Sequence, residues 1–436
     1  MKRKKSREPA GRHGDPGGFD MMAAILRGVL SLSVMFIQVI LSLFPASPLM
    51  AAPLKSDIWG FRIDLPEGYA FTGGDGKNRF SFSSPAGGTF DMVVYPGGTH
   101  ASVDALARDV QKRLGARGDI SGFVYRNKDA ALLRMTFSAD SGRSRKQYTG
   151  WGLCIELEAP ESRGESGGLS TGRPGGEKAD PAKPLLLALA YGPEAGAADD
   201  LQLSALDSIA PAGTDRRAPG PVTEFTYPPG KRIPVTLAGK VTGAFVREHD
   251  AEAAQALVDR EFRVLKAYID SPLRDEAWIR FYRTIYRDSF DRLTETAFAL
   301  ERNWVEGGEL PDTEEGRSLE FAARVLEWVQ GFTYERDFMG SDFVNLVSAA
   351  TEGRGDCDSR ALLWAILLEQ ANIPGAIMVS REYRHAMGLA DISGPGARFT
   401  AGGKQWLVAE TTAAVRIGLI GKDSADPAKW LGVIFE

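Results

Sequence analysis

The sequence is poor in cysteine and histidine: its 436 residues include two of the former and four of the latter. Two cysteines cannot build the disulfide framework that holds together a small secreted domain. So few cysteines and histidines also argue against a zinc centre. We therefore predict a protein without a metal or other cofactor, in which a reactive thiol or imidazole has very few positions to occupy.

The chain also lacks an excess of positive charge. Its 52 Lys and Arg stand against 57 Asp and Glu, for a net charge of −5, and we predict no nucleic-acid partner. A hydrophobic content of 43% with 25% charged residues is that of a globular protein, so a polytopic membrane protein and a wholly disordered chain are both disfavoured. At about 150 residues per domain, the length predicts two or three domains.

Charged residues are missing from Gly28 to Leu54, and this stretch follows a basic start at Lys2–Lys5. A basic segment, an apolar segment and small residues after it are typical of an export signal. The uncharged stretch is also long enough to span a bilayer, so residues 28–48 could instead be an uncleaved inner-membrane anchor.

We therefore interpret residues 1–54 as a signal peptide or membrane anchor. Because the positive side of such a segment stays in the cytoplasm, residues 55–436 are predicted to be periplasmic or otherwise extracytoplasmic. A membrane contact is expected only through the N-terminal segment, if it is not cleaved.

Residues 55–210 alternate apolar and polar residues in short runs, which predicts an α/β domain with an antiparallel sheet and one helix over Val103–Leu114. Residues 161–183 are dominated by Gly, Ser, Pro and charge, and we expect them to form a disordered insertion. The first strand reads Phe61-Arg62-Ile63-Asp64-Leu65-Pro66, and with the order of elements it resembles the Mog1/PsbP-like class of small α/β domains. That resemblance implies a non-catalytic binding or packing domain.

A proline-rich linker is predicted at residues 211–234, and a helical region over 235–314. Apolar residues at helical spacing predict three helices, Asp250–Ile269, Asp275–Trp304 and Thr313–Gln330. We interpret their aromatic side chains as core rather than as a cofactor site.

Residues that can carry chemistry are concentrated near the C-terminus. Cys357 is predicted in the first turn of an apolar helix that runs to about Asn372, and Gly353 and Gly355 precede it. The N-terminal end of a helix carries partial positive charge and unpaired N–H groups, which stabilise a thiolate or an oxyanion. The position therefore favours a nucleophilic thiol.

Two later segments of the chain carry the other residue types that a catalytic thiol requires. His385 begins a predicted strand, and Glu410 ends the apolar run of a later strand. A thiol, then an imidazole, then a carboxylate is the set that a nucleophile, its base and an orienting group require.

These segments resemble the transglutaminase-like superfamily, a branch of the papain-like cysteine enzymes. Four family motifs occur in order, as Gly355-Asp356-Cys357, Asn372-Ile373-Pro374-Gly375, His385-Ala386 and Trp406-Leu407-Val408-Ala409-Glu410-Thr411-Thr412. The resemblance covers residues 315–436 and implies a transglutaminase-like domain with a Cys-bearing helix packed on an antiparallel sheet. The whole chain is then predicted to be α+β. Glu410 stands where aspartate is usual, and Met387-Gly388 replaces bulkier residues.

The resemblance implies an exported cysteine hydrolase, a protease or amidase, that forms an acyl-enzyme on an amide bond of a peptide, a protein or peptidoglycan. Cys357 would attack, His385 would transfer protons and Glu410 would hold the imidazole. Resolution by an amine instead of water would make the protein a cross-linking transferase. The alternative is a catalytically silent envelope protein that keeps the fold as a binding or scaffold module.

Several assignments stay open in the sequence. Asp391 could replace Glu410, and Tyr334 or Asn345 could donate to an oxyanion beside the Cys357 backbone N–H. Asp356 and Asp358, the two neighbours of Cys357, would raise the pKa of the thiol if they faced it, but as acids in a first turn we expect them to support the helix terminus.

The second cysteine, Cys154, lies in an apolar strand and is interpreted as a buried core residue. A disulfide between Cys154 and Cys357 is the alternative, and it would silence the site.

Overall fold

A computed structural model describes most of the chain beyond the predicted export signal. The described residues are 53–84, 88–141, 144–158, 182–193, 199–307, 311–336 and 341–435. The predicted signal or anchor up to residue 52, and the predicted insertion up to residue 181, lie outside them. Among the described residues, no helix is both long enough and apolar enough to cross a bilayer.

The N-terminal region is built on an antiparallel sheet. Its strands are β1 (Leu54–Lys55), β2 (Arg62–Ile63), β3 (Ala70–Gly74), β4 (Arg79–Ser83), β5 (Thr89–Tyr95), β6 (Ile120–Tyr125), β7 (Lys128–Ser141), β8 (Ser144–Glu156) and β9 (Leu185–Pro193). Strands β1 and β2 pair with each other, and the remaining seven form one sheet in the order β3-β4-β5-β9-β8-β7-β6. Successive residues of a strand point to opposite faces, so this sheet needs cover on both sides.

Helices cover the two faces of this sheet. They are α1 (Val103–Leu114), α2 (Asp199–Asp207) and α3 (Pro221–Thr226). Helix α1 packs its buried Leu106 and Val110 on one face, while Leu206 of α2 and Val222 of α3 belong to the core of the other. Helix α1 has the bounds that the apolar spacing predicts, with Ser102 accepting a hydrogen bond from the Ala105 N–H as its N-cap.

The segment predicted to be a linker is packed against its neighbours. It contains a 3₁₀ turn at Gly213–Arg217 and helix α3, and Asp215 and Thr223 within it are buried. Asp207 of α2 accepts hydrogen bonds from the backbone N–H and the hydroxyl of Thr223. The segment therefore connects two regions and belongs to the core between them.

The helical middle region begins with a hairpin, β10 (Arg232–Leu237) and β11 (Val241–Arg247). Its helices are α4 (Asp250–Lys266), α5 (Arg274–Arg292), α6 (Thr294–Glu306) and α7 (Glu314–Gln330). The helix predicted from Asp275 to Trp304 is thus two helices that break at Leu293. Helix α4 ends at Lys266, so the predicted helix extends three residues too far, to Ile269, which is 63% exposed.

The C-terminal region consists of short strands and helices around a second antiparallel sheet. Its elements are β12 (Thr333–Tyr334), α8 (Leu346–Glu352), β13 (Arg354–Gly355), α9 (Cys357–Gln370), β14 (Gly375–Ser380), β15 (His385–Ala390), β16 (Arg398–Ala401), β17 (Lys404–Ala409) and β18 (Leu431–Ile434). The five-stranded sheet has the order β16-β17-β15-β14-β18. The predicted α+β class, with an antiparallel sheet at each end and helices between, is confirmed.

Helix α9 is the centre of the C-terminal core. Its apolar positions are buried all round, and Trp364 is fully buried with its indole N–H donating to the Ala322 carbonyl at 3.0 Å. A Cβ at Gly388 of β15 would lie 2.4 Å from the Trp364 ring. The glycine that departs from the family pattern is therefore required by close contact between this helix and the sheet.

Buried ion pairs join the N-terminal region to the middle helices. The fully buried Arg280 of α5 donates to Glu261 of α4 at 2.9 Å and to the hydroxyl of Ser204 in α2 at 2.8 Å. It also donates to the Asp64 carbonyl at 2.9 Å. Removing one member of such a network leaves an unpaired buried charge, so these contacts hold the two regions in a defined arrangement.

Candidate active site

Cys357 is the first residue of α9, as the sequence predicts. Helix α8 ends at Gly353, whose φ of 67° allows the chain to turn back toward α9. Asp356 is the N-cap of α9, and its carboxylate accepts hydrogen bonds from the Ser359 N–H at 2.8 Å and the Ser359 hydroxyl at 2.6 Å. The thiol is thereby placed at the positive end of a helix, with only 3% of Cys357 exposed.

His385 and Glu410 meet at one end of the C-terminal sheet. Strands β15 and β17 pair antiparallel with Gly388 opposite Ala409, so the start of one lies beside the end of the other. His385 Nε2 is 2.7 Å from Glu410 Oε2. The longer glutamate side chain therefore reaches the imidazole from the position where the family has aspartate.

Hydrogen bonds to its second carboxylate oxygen, Oε1, hold Glu410 in place. Oε1 accepts hydrogen bonds from the Thr412 N–H at 2.7 Å and the Thr412 hydroxyl at 2.6 Å. Burial raises the pKa of Glu410, but the hydrogen bond and the charge of His385 together with Thr412 outweigh it and bring the pKa below its usual value. The carboxylate is therefore ionised at neutral pH and favours a proton on the facing Nε2, so that Nδ1 is the ring nitrogen outside this contact.

The Cys357 sulfur lies beside the start of β15, the strand that begins with His385. The backbone N–H of Ala386, the residue after His385, is near enough to this sulfur to lower the pKa of the thiol. The three predicted catalytic residues thus come from α9, β15 and the end of β17, and they converge on one region of the sheet.

The environment of the thiol differs from the one that the sequence predicts. Burial raises the pKa of Cys357, and the charges of Asp358 and Asp356 raise it further. The Ala386 N–H and the charge of Arg336 lower the pKa of the thiol, but by less than burial and the two carboxyl groups raise it. The expected lowering of the thiol pKa by a helix terminus and an imidazole is therefore outweighed by desolvation and two acidic neighbours, and the resting thiol is protonated.

The two acidic neighbours have different roles. Asp356 supports the helix terminus, as expected, whereas Asp358 faces the thiol, with Cys357 Sγ 3.6 Å from Asp358 Oδ1. Burial followed by the charge of Asp358 raises the pKa of Asp356 to about 8. Burial also raises the pKa of Asp358, and the nearby Tyr282 hydroxyl and the Cys357 thiol only partly offset it. The carboxyl pair therefore retains a proton near neutral pH.

The structure also shows where the two candidate oxyanion donors, Tyr334 and Asn345, lie. Asn345 caps helix α8, and its amide N–H₂ donates to Gln255 and Ser348, so it is not directed at the thiol. Tyr334 is half exposed, and its hydroxyl is near enough to the Cys357 thiol for the charge of the thiolate to raise the pKa of the tyrosine. Of the two predicted oxyanion donors, Tyr334 alone is beside the nucleophile.

Asp391, considered as a substitute for Glu410, points elsewhere. Its carboxylate pairs with Lys404 Nζ at 3.1 Å, and both side chains are exposed. His385 is instead in contact with Trp430, whose ring lies edge-on at 6.2 Å between centroids. The carboxylate partner of the imidazole is therefore Glu410.

The two cysteines are far apart in the fold and both are free. Cys154 lies in β8 opposite Ala131 of β7 and is fully buried in the core beneath helix α1. It is the apolar core residue that its strand predicts.

Sequence reasoning missed Tyr282 and Arg336 as neighbours of the thiol. Tyr282 is one of several aromatic residues on α5, and nothing in its spacing separates it from the core residues Phe281 and Ile285. Arg336 follows Tyr334 in an exposed segment where a charged residue is unremarkable. Proximity to Tyr334 was the one signal that could have indicated Arg336.

Comparisons with known proteins do not assign the chain to a family. No family model matches it, and no curated protein matches it in sequence. Neither the transglutaminase-like nor the Mog1/PsbP-like resemblance is supported by a match of this kind.

Distant structural similarities were found. The crystal structure of LpqN, involved in cell envelope biogenesis of Mycobacterium tuberculosis, matches with a TM-score of 0.22 and 10% sequence identity over 33% of this chain and 79% of that chain. A crystal structure from Bacteroides thetaiotaomicron VPI-5482 matches with a TM-score of 0.24 and 13% identity over 59% of this chain and 81% of that one. Similarity at this level is a distant likeness and carries no argument about function.

Proposed function

We propose that this protein is an exported, transglutaminase-like cysteine hydrolase that cleaves amide bonds through Cys357, His385 and Glu410. The observation that carries the proposal is the arrangement of these groups. The imidazole is 2.7 Å from the Glu410 carboxylate, and the thiol at the head of α9 is near the backbone N–H of Ala386, the residue after that imidazole. A nucleophile, a base and an orienting group are the elements of acyl transfer.

In this mechanism His385 creates the thiolate when substrate is bound. Its Nδ1 takes the proton of the Cys357 thiol, and the sulfur attacks the amide carbonyl carbon. In this proposal the resulting oxyanion accepts hydrogen bonds from the Cys357 backbone N–H and from the Tyr334 hydroxyl, which lies near the thiol.

Collapse of the tetrahedral intermediate breaks the C–N bond, and the imidazolium gives its proton to the departing amine. His385 then removes a proton from water, which attacks the thioester carbonyl carbon. Collapse of the second tetrahedral intermediate breaks the C–S bond and releases the acid, and the imidazolium returns its proton to the Cys357 sulfur to restore the resting thiol. The charge of Glu410 stabilises the imidazolium that forms in each half of the reaction.

Export and an envelope substrate are part of the proposal. The basic and apolar N-terminal segment supports export, so the substrate is expected to be a peptide, a protein or peptidoglycan outside the cytoplasm. If a primary amine competes with water for the thioester, the same site performs transamidation. Adding a biotinylated alkylamine to the reaction distinguishes the two, because only transamidation attaches biotin to the product.

The test compares wild type with Cys357→Ala on purified peptidoglycan and on a peptide mixture from extracytoplasmic proteins, with mass spectrometry as the readout. We expect products with new carboxyl and amino ends for wild type only. Cys154→Ala is the matched control and should cleave as wild type does. Identical products from wild type and Cys357→Ala would disprove the hydrolase.

A second candidate, a silent binding module, is favoured by one observation, the raised pKa of the Cys357 thiol beside two carboxyl groups. Alkylation by iodoacetamide separates the two. In a hydrolase, His385→Ala slows the alkylation of Cys357 near pH 7 by about tenfold, because the base and its positive charge are lost. In a silent module the rate depends only on the intrinsic thiol pKa, and the substitution leaves it unchanged.

A further inference from the structure

Glu410 lies just beyond the part of β17 that the sheet holds in place. Ala409 is the last residue of β17, and the pairing of this strand with β15 ends there. The residues that follow Glu410 form no regular secondary structure, and Ala413 and Ala414 among them are exposed. Neither the strand pairing nor packing of these two alanines therefore fixes the backbone that carries the carboxylate.

A side chain from another element contacts this backbone. Gln330 is the last residue of α7. Its Nε2 donates to the carbonyl of Glu410 at 2.8 Å and to the carbonyl of Val415 at 2.9 Å. Because both neighbours are carbonyl oxygens, which only accept, the amide nitrogen with its two hydrogens is the group that faces them. One side chain thus ties both ends of the segment from Glu410 to Val415 to a helix.

The groups that direct the carboxylate lie within this tied segment or face it. Oε1 of Glu410 accepts hydrogen bonds from the N–H and the hydroxyl of Thr412, and Oε2 faces His385. The direction of the carboxylate is therefore only as well defined as the backbone of the segment. A glutamate side chain also has one more rotatable bond than the aspartate that is usual in the family, so it requires more restraint to keep one direction.

We infer that Gln330 is a positioning residue: its two hydrogen bonds hold the segment from Glu410 to Val415 in the conformation in which the carboxylate faces His385. The effect of Gln330 on the reaction rate rests on the proposed function, whereas its effect on the contact between Glu410 and His385 can be measured without any activity. The contact matters for rate because a misplacement of about 1 Å in a catalytic site can cost about 10²-fold.

Gln370 provides a matched control, because it too is the last residue of a helix and its amide bonds to another segment. It ends α9, and its Nε2 donates to the carbonyl of Phe290 at 2.6 Å and to the hydroxyl of Thr294 at 3.3 Å. At 1.5 Å per residue it lies about 20 Å along the helix from Cys357. Replacement by methionine removes the donors of either glutamine and leaves a side chain of similar length, so the two variants differ in location.

Selective nitrogen-15 labelling of histidine tests the contact independently of hydrolysis. The chain has four histidines, and the signal of His385 is identified by its loss in His385→Ala. In wild type we expect a cross-peak from the Nε2 proton, because the contact with Glu410 slows its exchange with water. Gln330→Met should broaden or remove this cross-peak, and Gln370→Met should retain it. A cross-peak that is unchanged in a folded Gln330→Met, lost in both variants or absent from wild type would overturn the inference.

Steady-state hydrolysis tests the consequence for rate. Gln330→Met should lower kcat about tenfold and change KM less than about twofold, because the groups that contact substrate remain. Gln370→Met should change neither constant, although both variants should lower the melting temperature to a similar extent. Equal losses of kcat in the two variants, or a change of KM alone in Gln330→Met, would contradict a positioning role.

Gln330→Asn provides the same test if the methionine variant does not fold. Its amide keeps both hydrogens but is one methylene too short to reach both carbonyls, so the cross-peak should weaken and kcat should fall about threefold. A folded Gln330→Asn that retains the wild-type cross-peak and kcat would overturn the inference. If wild type cleaves no amide, yet Gln330→Met loses the cross-peak and Gln370→Met keeps it, the hydrolase is disproved and the positioning of Glu410 by Gln330 stands.

Discussion

The seven-stranded and the five-stranded antiparallel sheets are each associated with one buried cysteine, and the surroundings of the two thiols differ. Around Cys154 the neighbours are apolar, and burial alone raises the pKa of the thiol. Around Cys357 burial acts together with two carboxyl groups, a backbone N–H, a tyrosine hydroxyl and the strand that carries His385. Burial therefore does not distinguish a reactive cysteine from a core residue. The polar groups that surround it do.

The largest expected difference between the two thiols is in catalysis. Cys357→Ala should lower amide hydrolysis at least ~10³-fold, because the nucleophile is lost. Cys154→Ala should change the rate less than about twofold and reduce the free energy of unfolding by about 1 kcal/mol. Initial rates on a peptide cleaved by wild type, with urea unfolding of both variants, provide the measurement. A loss of activity in a well-folded Cys154→Ala would remove the contrast.

The carboxylate comparison should give the next largest effect. Glu410→Gln removes the charge that stabilises the imidazolium, and we expect a loss of about 10²–10⁴-fold in hydrolysis with the protein still folded. Asp391→Asn, which removes a carboxylate paired with Lys404, should leave the rate unchanged. The steady-state rates of both variants decide between the two carboxylates. Equal losses of activity in Glu410→Gln and Asp391→Asn would show that Glu410 has no specific role in catalysis.

A smaller effect, on the reactivity of the Cys357 thiol, is expected from replacing Asp358. The charge of Asp358 raises the pKa of Cys357, so Asp358→Asn should lower that pKa and increase the thiolate fraction below it. We expect about 3–10-fold faster alkylation of Cys357 by iodoacetamide at pH 7, for a shift of up to about one pH unit.

Cys154 provides the internal reference in the same sample, because its alkylation requires unfolding. An unchanged ratio of Cys357 to Cys154 labelling in Asp358→Asn would show that the carboxylate does not control the thiol.

The smallest effect concerns pH-dependent stability in the N-terminal region. Burial, only partly offset by the charge of Arg280, raises the pKa of Glu67 from 4.5 to about 7. Between these values the folded chain retains a proton that the unfolded chain has lost, so stability falls as the pH rises through this window. Glu67→Gln should remove about 1–3 kcal/mol of the difference in unfolding free energy between pH 5 and pH 8.

Urea denaturation of wild type and Glu67→Gln at both pH values measures that difference. Asp356→Asn is the counterpart in the C-terminal region, since Asn also caps helices, and it should reduce the same dependence through a different carboxyl. A wild-type stability that rises from pH 5 to pH 8 would contradict both assignments.

Local signals predicted much of the secondary structure. Helix α1 has a serine N-cap and a glycine after its last residue, and its predicted bounds are the observed ones. The break at Leu293 was missed because no proline or glycine marks it; tertiary packing of α5 and α6 determines it. The packed segment at 211–234 was read from its prolines alone, whereas burial of residues such as Thr223 depends on contacts with α2.

For the candidate site, the sequence indicated the residues and the helix and strands that carry them, and their catalytic role stays a prediction. Cys357, His385 and Glu410 could be singled out because thiols and imidazoles are scarce and the intervening apolar runs define a helix and strands. The direction of the Asp358 side chain could not be predicted, because it depends on Tyr282, which lies on a helix distant in the sequence.

By itself, the sequence determined the α+β class, the helix that begins at Cys357 and the order of thiol, imidazole and carboxylate, because caps, glycines and apolar periodicity act over a few residues. Tertiary structure alone decided the raised pKa of the Cys357 thiol and the pairing of His385 with Glu410. These properties arise from desolvation and charge between segments far apart along the chain, and such interactions exist only once the segments have packed together.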